Sequence, residues 1–331
     1  MKKITKRLGT ICLSVLLGVT MLTGCGKTEE TTTSIRIGTM SGPTGMGMVK
    51  LMDDSENNLT ANTYEFAELA TDASTFVAPL SQGELDIATI PSNLASVVYN
   101  KTEGGITVLA INSLGVLNIV ERGESIKSIS DLAGKKIYAT GEGATPEYTL
   151  KYILQQNGLD VEKDVTIQWC ADTTEALSYV SNDEQAIAML PQPFATAAMM
   201  QVEGLRIAID LNDAWALTEA GADGSIVTGV TVVRTEFLEA HPEAVKKFME
   251  EYEASVNYTI NNQSEAAALI EKYGIVAKAP IAEKALPGCH ITYKTGEEMK
   301  TMIEKYLQIL FEQNPQSVGG SIPGEDFYYG L

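Results

Sequence analysis

Two apolar stretches run on too long to be ordinary strands, and they constrain what this chain can become. Residues 106–120 (ITVLAINSLGVLNIV) stay apolar except at Asn112-Ser113 and Gly115, and residues 226–233 (IVTGVTVV) are interrupted only at Gly229. A typical strand needs about five or six residues. A polar or glycine break inside a longer run lets the chain leave one sheet and enter another. Two such runs imply a departure and a return.

Between these crossings the pattern alternates between strand and helix. Before the first crossing, strands are expected at 35–40, 64–70 and 87–90, with helices at 46–52, 73–82 and 94–99. Pro79 lies inside the second helix and limits it. Beyond the crossing, strands are expected at 135–140, 165–169, 186–190 and 206–211, with helices at 147–156, 173–179 and 194–200. Residues 212–225 read as an acidic loop around Trp215. The remainder is helical, with Val245, Phe248, Met249, Tyr252 and Val256 on one stripe and Met299, Met302, Ile303, Tyr306 and Leu310 on another. The expected fold class is α/β, with mostly parallel sheets carrying helices on both faces. It divides into two lobes: residues 35–112 with 226–331, and residues 113–225.

The N-terminus reads as a targeting segment outside the fold. Lys2, Lys3, Lys6 and Arg7 precede an apolar stretch, residues 8–21, too short to span a membrane comfortably. Leu22-Thr23-Gly24-Cys25 follows and resembles a bacterial lipobox, which implies cleavage after residue 24 and a lipid on Cys25. Residues 25–34 read as a flexible tether. Cys170 and Cys289 are expected as free buried thiols in different lobes, although export would permit a disulfide.

With 331 residues, 44% of them hydrophobic, one or two well-cored domains are possible. The formal net charge of −19 repels nucleic acid and anionic membrane surfaces, so neither is an expected direct partner.

Five corners rich in Gly, Pro, Ser and Thr follow strands, and most open a helix. Such corners aim free N–H groups and hydroxyls off the carboxyl edge of a sheet, where small ligands settle. They nominate Ser41, Gly42, Thr44 and Gly45; Ser92 and Asn93; Asn112 and Ser113; Gly143, Ala144 and Thr145; and Gln192. Gly45 and Gly47 each cost a helix about 1 kcal/mol against Ala. Either close approach of a ligand or close packing of helix on sheet would offset that cost. None of these corners carries Arg or Lys, so an anion would depend on backbone N–H groups and hydroxyls. Trp215 and Tyr148 are candidate stacking faces or packing residues.

The lipobox, the tether and the paired crossings resemble a solute-binding lipoprotein of an ABC importer, in the branch for nitrate, sulfonates, taurine and thiamine-type pyrimidines. Gly83-Glu84-Leu85-Asp86-Ile87-Ala88, Ile129-Ser130-Asp131-Leu132-Ala133-Gly134-Lys135-Lys136-Ile137, Pro191-Gln192-Pro193-Phe194 and Leu238-Glu239-Ala240-His241-Pro242 carry the resemblance. It implies a type II periplasmic-binding-protein fold that captures a small organic solute between its lobes and delivers it to a membrane permease. It also implies a monomer outside the cytoplasm, anchored to the cell membrane through Cys25, with pivots near Ser113 and Thr228.

Enzyme signatures are weak. Gly42 to Gly47 has the wrong spacing for a phosphate loop, and Gly141-x-Gly143 lacks the third glycine of a dinucleotide fingerprint. No Gly-x-Ser-x-Gly elbow occurs. Cys289-His290 lacks a partner set for zinc, and His241 before Pro242 reads as a cap. No catalytic residue, metal or cofactor is expected. An enzyme acting on a pyrimidine-like or other small metabolite on the same two-lobe fold, or a sensor for a membrane kinase, remains the alternative.

Overall fold

A computed structural model describes residues 33–222 and 224–331. The expected targeting segment, Cys25 and nearly all of the tether lie outside them. Among the described residues, eleven strands form two sheets. The first sheet takes β1 (Ser34–Gly38), β2 (Thr63–Phe66), β3 (Ile87–Pro91), β4 (Ile106–Leu114), β10 (Val227–Arg234) and β11 (Ile291–Lys294), in the order β11-β4-β10-β3-β1-β2. The second takes β5 (Leu117–Arg122), β6 (Lys136–Ala139), β7 (Thr166–Trp169), β8 (Ile187–Pro191) and β9 (Leu205–Asp210), in the order β7-β6-β8-β5-β9.

The long apolar runs are the crossings. The first contains both β4 and β5, separated by Gly115-Val116. Residues 113 and 114 stay with the first sheet, two residues beyond the boundary expected at residue 112. The second run forms β10, which returns to the first sheet.

Each sheet has a parallel trio flanked by an antiparallel strand that has just crossed. In the first sheet β1 pairs parallel with β2 and β3, while β10 runs antiparallel to β3. In the second, β6 pairs parallel with β7 and β8, while β5 runs antiparallel to β8. The registers correspond, with Ile37 opposite Ile87 in one sheet and Ile137 opposite Ile187 in the other. Pro91 and Pro191 therefore end equivalent strands, and each opposes a crossing strand, at Gly229 and Leu117 respectively.

Strand alternation sorts the buried side chains into three clusters. One face of the first sheet packs Ile35, Ile37 and Ile87 against Met46, Val49, Phe248 and Tyr252. One face of the second packs Val120, Ala188 and Leu190 against Ala176 and Val180. The third cluster is shared: Ile90 and Ile111 join Ile137, Ile187, Leu150, Trp215, Tyr306 and Leu310. Two wholly separate cores are therefore not what forms. The C-terminal helix Gly296–Gln313, seated on the first sheet, also packs on helix Thr145–Gln156 of the second lobe.

Residues 212–225 are not all loop. Asp210 caps helix Leu211–Ala216, accepting from the Asn212 N–H at 2.8 Å, and this helix carries Trp215 into the shared core. The tilted Tyr152 ring and the edge-on Tyr306 ring hold Trp215 from two sides, so it packs rather than offering a stacking face. Pro79 sits in the first turn of helix Val77–Gln82, where its missing N–H costs nothing, and left-handed Gly83 ends that helix. Cys170 and Cys289 are free and buried.

Candidate functional site

The equivalent strand ends place Pro91-Ser92-Asn93 and Pro191 beside a cavity of about 190 Å³ between the two sheets. Thr145, Pro146 and Thr149 line it from the start of helix Thr145–Gln156. Val116 and Leu117 line it from the first crossing, Ile226 to Thr228 from the second, and Tyr306 from the C-terminal helix. None of these lining residues is charged.

The strand ends are stitched to the crossings. Ser92 Oγ donates to the Val227 carbonyl, and the Gln192 N–H donates to the Val116 carbonyl at 2.8 Å. Asn212 Oδ1 accepts from the Gly115 N–H at 3.1 Å and from Ser225 Oγ at 3.2 Å, which joins one crossing to the other. A change in the angle between the lobes must therefore move the walls of this cavity.

Opposite walls also meet directly. Thr149 and Tyr306 share a hydroxyl–hydroxyl hydrogen bond of 3.1 Å, and Asn314 Nδ2 donates to Tyr148 Oη at 2.8 Å. Burial pushes the Tyr306 hydroxyl up to about 12, against the opposing pull of Thr149, so it remains a neutral hydroxyl near pH 7.

Of the nominated residues, Ser92, Asn93 and Thr145 line the cavity. Thr44, Asn112 and Ser113 come together elsewhere, in a buried polar chain. Thr44 Oγ1 is 3.5 Å from Ser113 Oγ, Ser113 donates to Asn112 Oδ1, and Asn112 Nδ2 donates to Thr231 Oγ1, which donates to Tyr252 Oη. Gly229 makes room for this chain, since a Cβ there would stand 2.3 Å from Asn112 Oδ1 and 2.5 Å from Ser113 Oγ.

The remaining nominations are accounted for locally. Ser41 and Gly42 tie the first corner to the carbonyls of Ala70 and Ile275. Gly42 has φ 77° and ψ −160°, a conformation open essentially to glycine alone. Gly45 is buried, and a Cβ on it would lie 1.9 Å from the Met40 carbonyl oxygen. Of the two explanations for this glycine, the structure supports packing. Gly143 and Ala144 are exposed, and the Gly143 carbonyl accepts from Tyr148 Oη at 3.0 Å. Gln192 is 4% exposed, its Oε1 accepts from Thr196 Oγ1 at 2.8 Å, and its amide abuts Gly288. Thr149 and Tyr306 lie outside the nominated corners: Thr149 sits inside helix Thr145–Gln156, and Tyr306 belongs to the apolar stripe of the C-terminal helix.

Residues 106–266 match the family model described as NMT1/THI5 like. A binding protein of Brucella abortus is 25% identical over 221 residues, which is 65% of this chain; the match spans 64% of that relative's length, and a Brucella melitensis binding protein matches equally. An ABC transporter structure from Parabacteroides distasonis superimposes with a TM-score of 0.74 at 24% identity, covering 90% of this chain and 99% of that one. The periplasmic aliphatic sulphonate binding protein SsuA of Escherichia coli superimposes with a TM-score of 0.70 at 17% identity, covering 90% and 92%. A Candida albicans protein whose structure is described as the generic periplasmic binding protein fold gives 0.56 at 13% identity, covering 89% and 92%. The fold is the two-lobed, type II periplasmic-binding-protein fold.

Proposed function

We propose that this chain, with the type II periplasmic-binding-protein fold and a match to the NMT1/THI5-like model over residues 106–266, is the solute-binding component of an ABC import system. Its lobes, residues 35–112 with 226–331 and residues 113–225, close on one small organic solute and present the closed form to a membrane permease. The chain acts as a monomer outside the cytoplasm, anchored to the cell membrane by lipid on Cys25, and performs no chemistry on its cargo. One observation carries this reading: a single cavity takes walls from both sheets and both crossings. A ligand that touches both lobes only when they are closed shifts the population toward closure.

The uncharged lining narrows the cargo. At about 190 Å³ the cavity is smaller than the roughly 300–1,000 Å³ usual for ligand pockets. As it stands it admits a compact solute, and a larger one needs a wider lobe angle. Hydroxyls at Thr145, Thr149, Thr228 and Tyr306 suit a polar, uncharged, pyrimidine-like ring. The sulfonate bound by the Escherichia coli neighbour supports an anionic group instead. Here such a group would depend on those hydroxyls, because Pro146 has no N–H and the Glu147 and Tyr148 N–H groups donate to the Ala144 carbonyl at the start of helix Thr145–Gln156.

A thermal-shift panel of sulfonates, nitrate, pyrimidines, flavins and amino acids on the full chain tests the reading. A true solute at 100 times its Kd stabilises by about 2.7 kcal/mol. One class should raise the Tm without being consumed. Turnover of a panel member would favour an enzyme, and a panel without any shift would count against these cargo classes.

A further inference from the structure

Cys289-His290 alone has too few donors for a metal, yet the fold brings the missing ones alongside. His290 closes the turn Leu286–Cys289 in the left-handed conformation, with φ 44°. Its Nδ1 lies 2.5 Å from the Gly115 carbonyl oxygen, which can only accept, so Nδ1 is the donor there and Nε2 is the nitrogen turned away from the backbone. Nε2 faces Asp210 Oδ2 at 3.7 Å. Asp210 Oδ1 is already engaged as a helix cap by the Asn212 N–H, so Oδ2 is the oxygen left over. Asp213, exposed in the first turn of that helix, brings a second carboxylate, and one donor atom from each of the three residues lies within 4.8 Å of the others. At 3.7 Å, Nε2 and Asp210 Oδ2 are too far apart for a direct hydrogen bond, and the interval is one that a bridging cation fits.

We propose that Asp210, Asp213 and His290 bind one divalent transition-metal ion of the zinc class, with water completing its coordination. An imidazole whose second nitrogen is held by a backbone carbonyl is oriented as metal-bound histidines are. Two ligands at about 2.0–2.1 Å on a tetrahedral ion stand roughly 3.3 Å apart, so the His290–Asp210 pair needs to close by only a few tenths of an ångström. The exposed Asp213 side chain can turn to complete the set. Cys289 takes no part, being wholly buried. His290 precedes β11 of the first sheet and Asp210 ends β9 of the second, while Gly115 belongs to the crossing between them. The ion would therefore fasten one lobe to the other at the crossing and hold a single interlobe angle. This assignment does not depend on the identity of the solute.

Calorimetric titration of the chelator-treated full chain with zinc chloride tests it. The expected result is one ion per chain, bound at least about tenfold more weakly by His290→Asn and by Asp210→Asn. Asparagine at 290 tolerates the left-handed backbone but supplies no imidazole nitrogen, and asparagine at 210 still caps the helix. Asp213→Asn alters only an exposed side chain, so its weaker binding cannot come from misfolding. Cobalt substituted for zinc should give a visible spectrum that His290→Asn changes. No zinc uptake by the parent chain, or equal affinity in all three variants, would overturn the proposal.

Discussion

Thr149 and Tyr306 meet hydroxyl to hydroxyl at 3.1 Å, from helices that belong to opposite lobes. Both side chains are buried, so each hydroxyl has the other as its protein partner at the wall of the cavity. Tyr306→Phe should cost about 1–2 kcal/mol, because it leaves the Thr149 hydroxyl buried without its partner. It should also weaken solute binding by favouring separated lobes. Urea denaturation combined with solute titration distinguishes the two effects, and unchanged stability would show that the contact is not maintained in solution.

Gly45→Ala tests the packing explanation of the first corner. The new Cβ would stand 1.9 Å from the Met40 carbonyl oxygen, and a protein's own backbone cannot yield as a long side chain can. Destabilisation of about 3 kcal/mol or more is expected, at the upper end of overpacking costs. Gly229→Ala should destabilise as well, by crowding Asn112 and Ser113. A stable Gly45→Ala chain that had lost only solute affinity would return Gly45 to the ligand site.

Those two glycines show what was legible in the sequence. Gly229 lies within β10, which stays in the first sheet throughout, and makes room for Asn112 and Ser113. Gly115 inside residues 106–120, by contrast, marks the first crossing, since a strand that changes sheets must interrupt its own apolar run. Strand ends at Pro91 and Pro191 were legible for the same reason. Facing was not. Thr44, Asn112 and Ser113 have the residue types of a binding corner, yet they turn into a buried polar chain; Tyr306 has the spacing of a core residue, yet it lines the cavity. β11 escaped notice because Ile291–Lys294 is short and lies at a sheet edge. Helix Leu211–Ala216 was obscured by the acidic residues around its cap.

Acid should loosen the second lobe through Glu121. Its carboxylate is 2% exposed; burial pushes its pKa up, but hydrogen bonds from Ser125, the Ile126 N–H and Arg206 outweigh this and leave it below its ordinary value. A carboxyl depressed in the folded state adds stability that is fully present above its unfolded pKa, about 4.3, and is lost as pH falls through the folded value. Glu121→Gln should therefore flatten the fall in Tm below about pH 4.5 and cost roughly 2 kcal/mol at neutral pH. Parallel acid limbs for parent and variant would exclude Glu121 as a contributor.

Cys25→Ser should release the chain from the membrane fraction into the soluble fraction. Cell fractionation with immunoblotting reads this directly. Persistence in the membrane fraction would mean that Cys25 is not the anchor.

Native mass spectrometry of the chain purified gently from its own host, beside a Thr228→Trp variant that fills the cavity, tests the central claim most directly. The parent should carry one discrete small-molecule mass at one per chain, and the variant should be bare while its circular dichroism is unchanged. The same adduct retained by the variant would place the solute elsewhere and contradict a clasp between the lobes.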